Sequence, residues 1–243
     1  MPRASKAAVS RSKARPPRAV QRPAPSVSAR DEAYLALKRL IMTNQISAGS
    51  QILESEAAER LGMSRTPVRE AMIRLEQEGI VELRSRHAIR VLPLSASDMQ
   101  EIYEVLTALE STAAAIVASR GLSDEELQRL RDAVNEMDRA LAKDDLLRWS
   151  QADETFHLLL VDLSGNSRIR TFVGQVWEQS NRARLLTLRL RPKPVDSNKD
   201  HAALVDAIAR RDPTTAKKVH EAHRRRAGAM LTALLAEHGF KQL

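Results

Sequence analysis

Asp153 and His157 stand four residues apart in the run Asp153-Glu-Thr-Phe-His157, so on a helix they share one face. Leu158, Leu160 and Val161 make that helix largely buried, and a buried carboxylate and imidazole need partners. His201 opens a later apolar stretch with Leu204, Val205 and Ile208 behind it, and His220 and His223 lie one turn apart further on. One carboxylate and several imidazoles from three helices can converge on a divalent cation such as Zn2+, Ni2+ or Mn2+. The plainer alternative is a helix-surface Asp–His contact worth about 0.2–0.5 kcal/mol. Five of the six histidines fall in this C-terminal part, which favours convergence.

A second group has a different chemistry. Ser64, Arg65, Thr66 and Arg69 lie within six residues of one another, where guanidinium forks can pair with guanine or phosphate and small hydroxyls can reach phosphate oxygens or base edges. The acids Glu54, Glu56, Glu59, Glu76 and Glu78 fall before or after them. The alternative is a solvated helix face.

These residues must be positioned by helices. Tyr34, Leu37, Leu40 and Ile41 recur at helical spacing, and a short helix over about 54–61 ends at Gly62. A third helix starts at Ser64 or Thr66, with Pro67 in its first turn, and presents Val68, Ala71, Met72 and Leu75 to a core before Gly79 closes it. Ile80, Val81 and Leu83, then Ile89 and Val91, flank a polar tip at Arg84, Ser85, Arg86 and His87, which reads as a β-hairpin. Two helices around a tight turn followed by a hairpin describe a winged helix-turn-helix over residues 31–94, whose wing brings Arg86 and His87 to flanking DNA. After Asp98 the pattern is helical throughout, near 98–119, 123–142, 144–164, 167–190, 197–211 and 213–237. Six such helices over 95–237 predict an antiparallel bundle, with a short tail at 238–243. The predicted fold is mainly α.

Charge narrows the function. The chain carries 39 Lys+Arg against 31 Asp+Glu, but eight of the basic residues and no acid lie in residues 1–30, leaving 31 of each in the remainder. That segment also holds five of the ten prolines and lacks apolar periodicity, so it reads as a disordered basic arm, with a transit peptide as the second reading. The absence of cysteine removes disulfides, Cys-based zinc fingers and a cysteine nucleophile. Apolar runs are interrupted well short of the roughly 20 residues that span a bilayer.

The run Ala58-Glu-Arg-Leu-Gly-Met-Ser-Arg-Thr-Pro-Val-Arg-Glu-Ala71, continuing to Leu75-Glu-Gln-Glu-Gly79, resembles the DNA-binding segment of GntR-family bacterial transcriptional regulators. The resemblance implies that Ser64, Arg65, Thr66 and Arg69 contact operator DNA. Where the family usually has an Arg-Arg-Gly wing tip, this chain reads Arg86-His87-Ala88, so the usual glycine turn does not carry over. Residues 96 to about 235 resemble the FCD ligand-binding domain of the FadR subgroup, through Ile102-Tyr-Glu-Val105 with Leu109-Glu110, Asp153 to His157, Ser164-Gly-Asn-Ser-Arg-Ile169, Asp200-His201 with Ala207-Ile208, and Asp212 followed by His223. In metal-binding members the ligands fall where Asp153, His157, His201 and His223 stand. His220 occupies a commonly apolar position and is either an added donor behind the ligands or a spare ligand. The family often has Arg where Leu106 stands, an anchor for an effector carboxylate. Arg182, Arg184 or Arg189 can substitute for it here.

The resulting expectation is a cytoplasmic, nucleoid-associated homodimeric regulator that is not an enzyme. It reads a pseudo-palindromic operator and responds to a small carboxylate metabolite bound beside a divalent metal. The rival is a metallohydrolase with an open-position zinc, which lacks an evident glutamate base and leaves the first domain without a purpose. A third reading makes the bundle a dimerisation domain alone. Deleting residues 1–29 is expected to flatten the salt dependence of DNA binding while sparing sequence preference. Affinity measured against ionic strength checks this, and an unchanged slope would make the arm passive.

Overall fold

A computed structural model of the chain describes residues 28–84, 87–93 and 95–237. Arg86, most of the basic arm and the tail at 238–243 lie outside the described residues. The N-terminal unit comprises α1 (Ala29–Met42), β1 (Gln51–Leu53), α2 (Glu54–Leu61), α3 (Arg65–Gln77), β2 (Val81–Arg84) and β3 (Ala88–Val91). α1 begins two residues inside the segment expected to be unstructured, because the Ser28 hydroxyl accepts the free amide of Asp31. Leu37 and Ile41 of α1 meet Val68, Met72 and Leu75 of α3 over the inner face of the sheet.

Gly62 ends α2 at φ 64°, a left-handed conformation in which a β-carbon is strained, and this turn sets the approach of α3. β2 and β3 form the predicted hairpin, pairing Val81 with Val91 and Arg84 with Ala88. The sheet has a third strand, in the order β1-β3-β2. At three residues, β1 is too short for alternation to show in the sequence. At the start of β3, His87 adopts φ 59°, a region histidine enters more readily than most residues. The His87 carbonyl accepts the amide of Glu54 at 2.7 Å, tying the wing to the start of α2.

The C-terminal unit comprises α4 (Ala96–Arg120), α5 (Asp124–Ala142), α6 (Leu146–Leu163), α7 (Ser167–Leu186), α8 (Val195–Ala209) and α9 (Pro213–Glu237). Ser95 and Ser123 close capping boxes with Asp98 and Glu126, and Asp145 and Asn166 cap α6 and α7. α4 is long and apolar enough by length and composition to cross a membrane, but its apolar side is spent on α6, α7, α8 and α9. It is the core helix of the bundle. α7 stops at Leu186, short of the predicted 190, where the Thr187 hydroxyl donates to the Ala183 carbonyl and Pro192 and Pro194 follow.

α7 also reaches the N-terminal unit. Glu178 pairs with Lys38 of α1 at 2.8 Å, and Lys38 in turn meets Tyr34 and Glu78. Gln179 lies against Glu78 and Gly79, and Arg182 donates to the Leu92 carbonyl at 2.7 Å.

α4 and α9 approach closely at Gly228, where a β-carbon would come within 2.9 Å of the Tyr103 side chain. Gly228→Val is therefore expected to destabilise the protein by about 1–3 kcal/mol through overpacking. Urea unfolding followed by circular dichroism measures it.

Candidate functional site

α6 brings Asp153 and His157 to the bundle interior, α8 brings His201 and α9 brings His220 and His223; all five are buried. The register of α8 against α6 is set by the Trp149 indole, which donates to Asn198 at 2.8 Å while Asn198 donates to Asp138 at 2.6 Å. That lock places His201 Nε2 3.3 Å from His157 Nε2 and 3.6 Å from Asp153 Oδ1, with His157 Nε2 3.7 Å from the same oxygen. One ring nitrogen each from His157, His201 and His223 falls within a 4.8 Å span.

The donor chemistry can be tested by following the protons. His157 Nδ1–H donates to Glu110 at 3.0 Å and His223 Nδ1–H donates to Asp200 at 3.1 Å. Each bond fixes the tautomer that leaves Nε2 as a lone pair. Tetrahedral zinc with bonds of about 2.0–2.1 Å holds its donors roughly 3.3–3.4 Å apart, close to the separations found here. Burial holds His201 and His223 well below the ordinary imidazole range, opposed in His201 by Asp153 and reinforced in both by neighbouring imidazoles, so their rings stay neutral as ligands must be. One ring nitrogen each of His157, His201 and His223 can reach a common divalent cation, with Asp153, already paired with Arg184, beside them.

Behind them lies a second buried group that the sequence reading did not single out. Glu110 of α4 is fully buried and accepts from His157 Nδ1 and from His220 Nε2, each at 3.0 Å, and from two nitrogens of the buried Arg224. Burial alone would raise its carboxyl, but Arg224, His157 and His220 hold it well below the usual carboxylate range. Glu110, His157 and His220 also lie close enough to chelate. The guanidinium already on Glu110 argues against a second cation there. Burial pushes His220 down to about 4, against the pull of Glu110. His220 thus supports the carboxylate that orients His157. The signal for Glu110 was present in the sequence: it is the one charge in the stripe Leu106, Ala113, Ala114 and Val117.

A cavity of about 250 Å³ opens onto Asp153, His157 and His223. Of the four residues named for the effector, Arg184 lines it. Arg184 forms a close, buried ion pair with Asp153, and its Nη1 has no partner among the described residues. Burial would raise Asp153, yet Arg184 and the facing imidazoles hold it well below the usual range. Arg182 points instead to Leu92 at the junction with the N-terminal unit, Arg189 is exposed, and His220 faces Glu110; none of the three lines the cavity. Arg191, not anticipated, does.

In the N-terminal unit, Ser64, Arg65, Thr66 and Arg69 are all exposed at the start of α3, and neither arginine has an ion pair among the described residues. Arg74, further along, stacks on Tyr34 with its guanidinium carbon 3.6 Å from the ring centre and pairs with Asp31 and Glu78, so it belongs to the α1–α3 contact. His87 is exposed beside Glu54.

A reading helix with a wing, joined to a helical bundle with a buried polar centre, is the architecture of a DNA-binding regulator of transcription. Comparison with known proteins agrees. Residues 29–91 match the gntR family of bacterial regulatory proteins and residues 101–226 match the FCD domain. An HTH-type transcriptional regulator of Agrobacterium vitis is 45% identical over 131 residues, 53% of this chain and 77% of that protein. One from an unstable DNA locus of Streptomyces ambofaciens is 32% identical over 202 residues, 81% of this chain and 82% of that protein. The structure of E. coli McbR/YncC superposes with a TM-score of 0.73 at 21% identity, covering 85% of this chain and 98% of that one. The chain belongs to the GntR family of transcriptional regulators, with an FCD domain. It is not an enzyme, and the metallohydrolase reading has no support among its relatives.

Removing the Glu110 carboxylate strands a buried guanidinium. Glu110→Ala is expected to cost about 3–5 kcal/mol, and Glu110→Ala combined with Arg224→Met to cost less than the single change. Chemical denaturation of both variants without added metal checks this.

Proposed function

We propose that the protein is a homodimeric regulator whose operator affinity is set by a small carboxylate effector bound beside a divalent metal. Asp153, His157, His201 and His223 would hold the metal, and Ser64, Arg65, Thr66, Arg69, Arg86 and His87 would contact DNA. When bound, the metal supplies a Lewis-acidic position for an effector oxygen. Binding to operator DNA, as in the gntR family, supports work in the cytoplasm.

One observation carries the reading. α7 holds Arg184, the ion-pair partner of Asp153, and the same helix touches the N-terminal unit through Glu178, Gln179 and Arg182. An effector carboxylate taken by Arg184 Nη1 changes what Asp153 and Arg184 require of each other, and the displacement is delivered to α1 and Leu92. A tenfold change in operator affinity needs about 1.4 kcal/mol of coupling. One or two remade hydrogen bonds of about 0.5–1.5 kcal/mol each supply that.

Dimerisation is supported by the two-fold symmetry of the operators such domains read. A shallow groove between α4 and α9, with Ala108, Ser111, Gly228 and Ala233 along it, offers a face for the second copy.

The test uses a duplex selected from a random pool. His157→Ala and His223→Ala are expected to lose stoichiometric metal by elemental analysis, and with it the metal dependence of operator affinity, while still binding the duplex. Arg65→Ala and Arg69→Ala should weaken specific binding by about 1–3 kcal/mol if they read bases. Unchanged affinity in both would remove α3 as the reading helix, and full metal retention in both His variants would remove the metal centre.

A further inference from the structure

The cavity beside Asp153 is lined by one cation that has no direct ion pair among the described residues. Five Lys and Arg side chains line it, and four have acids of their own. Arg184 pairs with Asp153, Arg224 with Glu110, Arg226 with Asp200 and Lys193 with Asp144. Arg191 has no carboxylate within ion-pair distance among the described residues.

Arg191 is not a loose surface cation. It follows the end of α7, and its Nη2 donates back to the Arg184 carbonyl at 2.7 Å, so the α7 C-terminus holds the guanidinium in place. Its Nε is buried without a partner among the described residues, as is Nη1 of Arg184. Burial, and repulsion from Arg184, push Arg191 down to about 10. A guanidinium held by one backbone bond, with Asp153 and Tyr103 acting on it only from beyond ion-pair distance, is arranged for an incoming anion.

Two oriented guanidinium groups therefore face one small cavity. Arg184 lies at the Asp153 end, where the proposed effector carboxylate binds. Arg191 comes from the loop that leads to α8 and is the unbalanced one. A single carboxylate engaging Arg184 leaves the Arg191 charge unanswered, whereas a ligand with an acid at each end answers both. At about 250 Å³ the space falls below the roughly 300–1,000 Å³ typical of drug-sized ligands and suits a short metabolite.

We infer that the effector is a small dianion, a short-chain dicarboxylate, whose first acid group binds at Arg184 beside Asp153 and whose second is captured by Arg191. This rests on the effector reading above and adds the second anionic group and the residue that selects for it. Arg191 thereby acts as a specificity determinant. A neutral or monoacidic ligand of the same length would leave its charge buried and unmet.

Calorimetric titration of the full-length, zinc-loaded protein tests this with succinate and glutarate against butyrate and valerate, matched in chain length. The diacids are expected to bind roughly tenfold or more tightly than the matched monoacids. Arg191→Gln should bring that ratio close to one. Arg191→Lys should keep part of it, and Arg189→Gln, outside the cavity, should keep all of it. Melting temperatures of the variants verify folding. Equal binding of diacids and monoacids by the native protein, or an unchanged ratio in Arg191→Gln, would overturn the inference and leave the effector reading standing. No binding of any of the four acids would overturn both.

Discussion

Asp153 is claimed from two sides. On one stand the Nε2 atoms of His157 and His201, each within 3.7 Å of its Oδ1. On the other stands Arg184, in a buried ion pair with Oδ2. A carboxylate buried among imidazoles cannot stand unpaired, so Arg184 must be held against it. Holding Arg184 fixes α7 along the bundle, and fixing α7 presents Glu178, Gln179 and Arg182 to the N-terminal unit. The polar centre and the placement of the reading head thus share one helix.

The bundle around this pair is built to orient imidazole nitrogens. Glu110 and Asp200 occupy the Nδ1 atoms of His157 and His223, while Arg224 and His220 neutralise and satisfy Glu110. Such a network is expensive to bury and severe to break. Its value is orientation: every proton placed on the far side of a ring leaves a lone pair on the near side. The Trp149–Asn198–Asp138 chain serves the same end by fixing the helix that carries His201.

Much of this was legible in the sequence, where local chemistry leaves a mark. Gly62 and the Asp153–His157 spacing express nearest-neighbour geometry, and all six bundle helices fall close to their predicted spans. What escaped depends on contacts between distant segments. Glu110 meets residues 47 to 114 positions away, and a lone acid in an apolar stripe does not name its partners. Arg191 escaped through a boundary. Extending α7 to 190 sets Arg189 on a helical face, but the helix ends at Leu186, which leaves Arg189 in solvent and lets Arg191 fold back on the α7 C-terminus. The strand β1 escaped because three residues carry no period.

Hydrogen exchange of the full-length protein with and without zinc reports whether α7 couples the buried centre to the reading head. Zinc is expected to change amide protection in residues 178–187 and also around residues 75–92, which lie outside the proposed metal site. Changes confined to α6, α8 and α9, with α7 and the N-terminal unit unaltered, would contradict it.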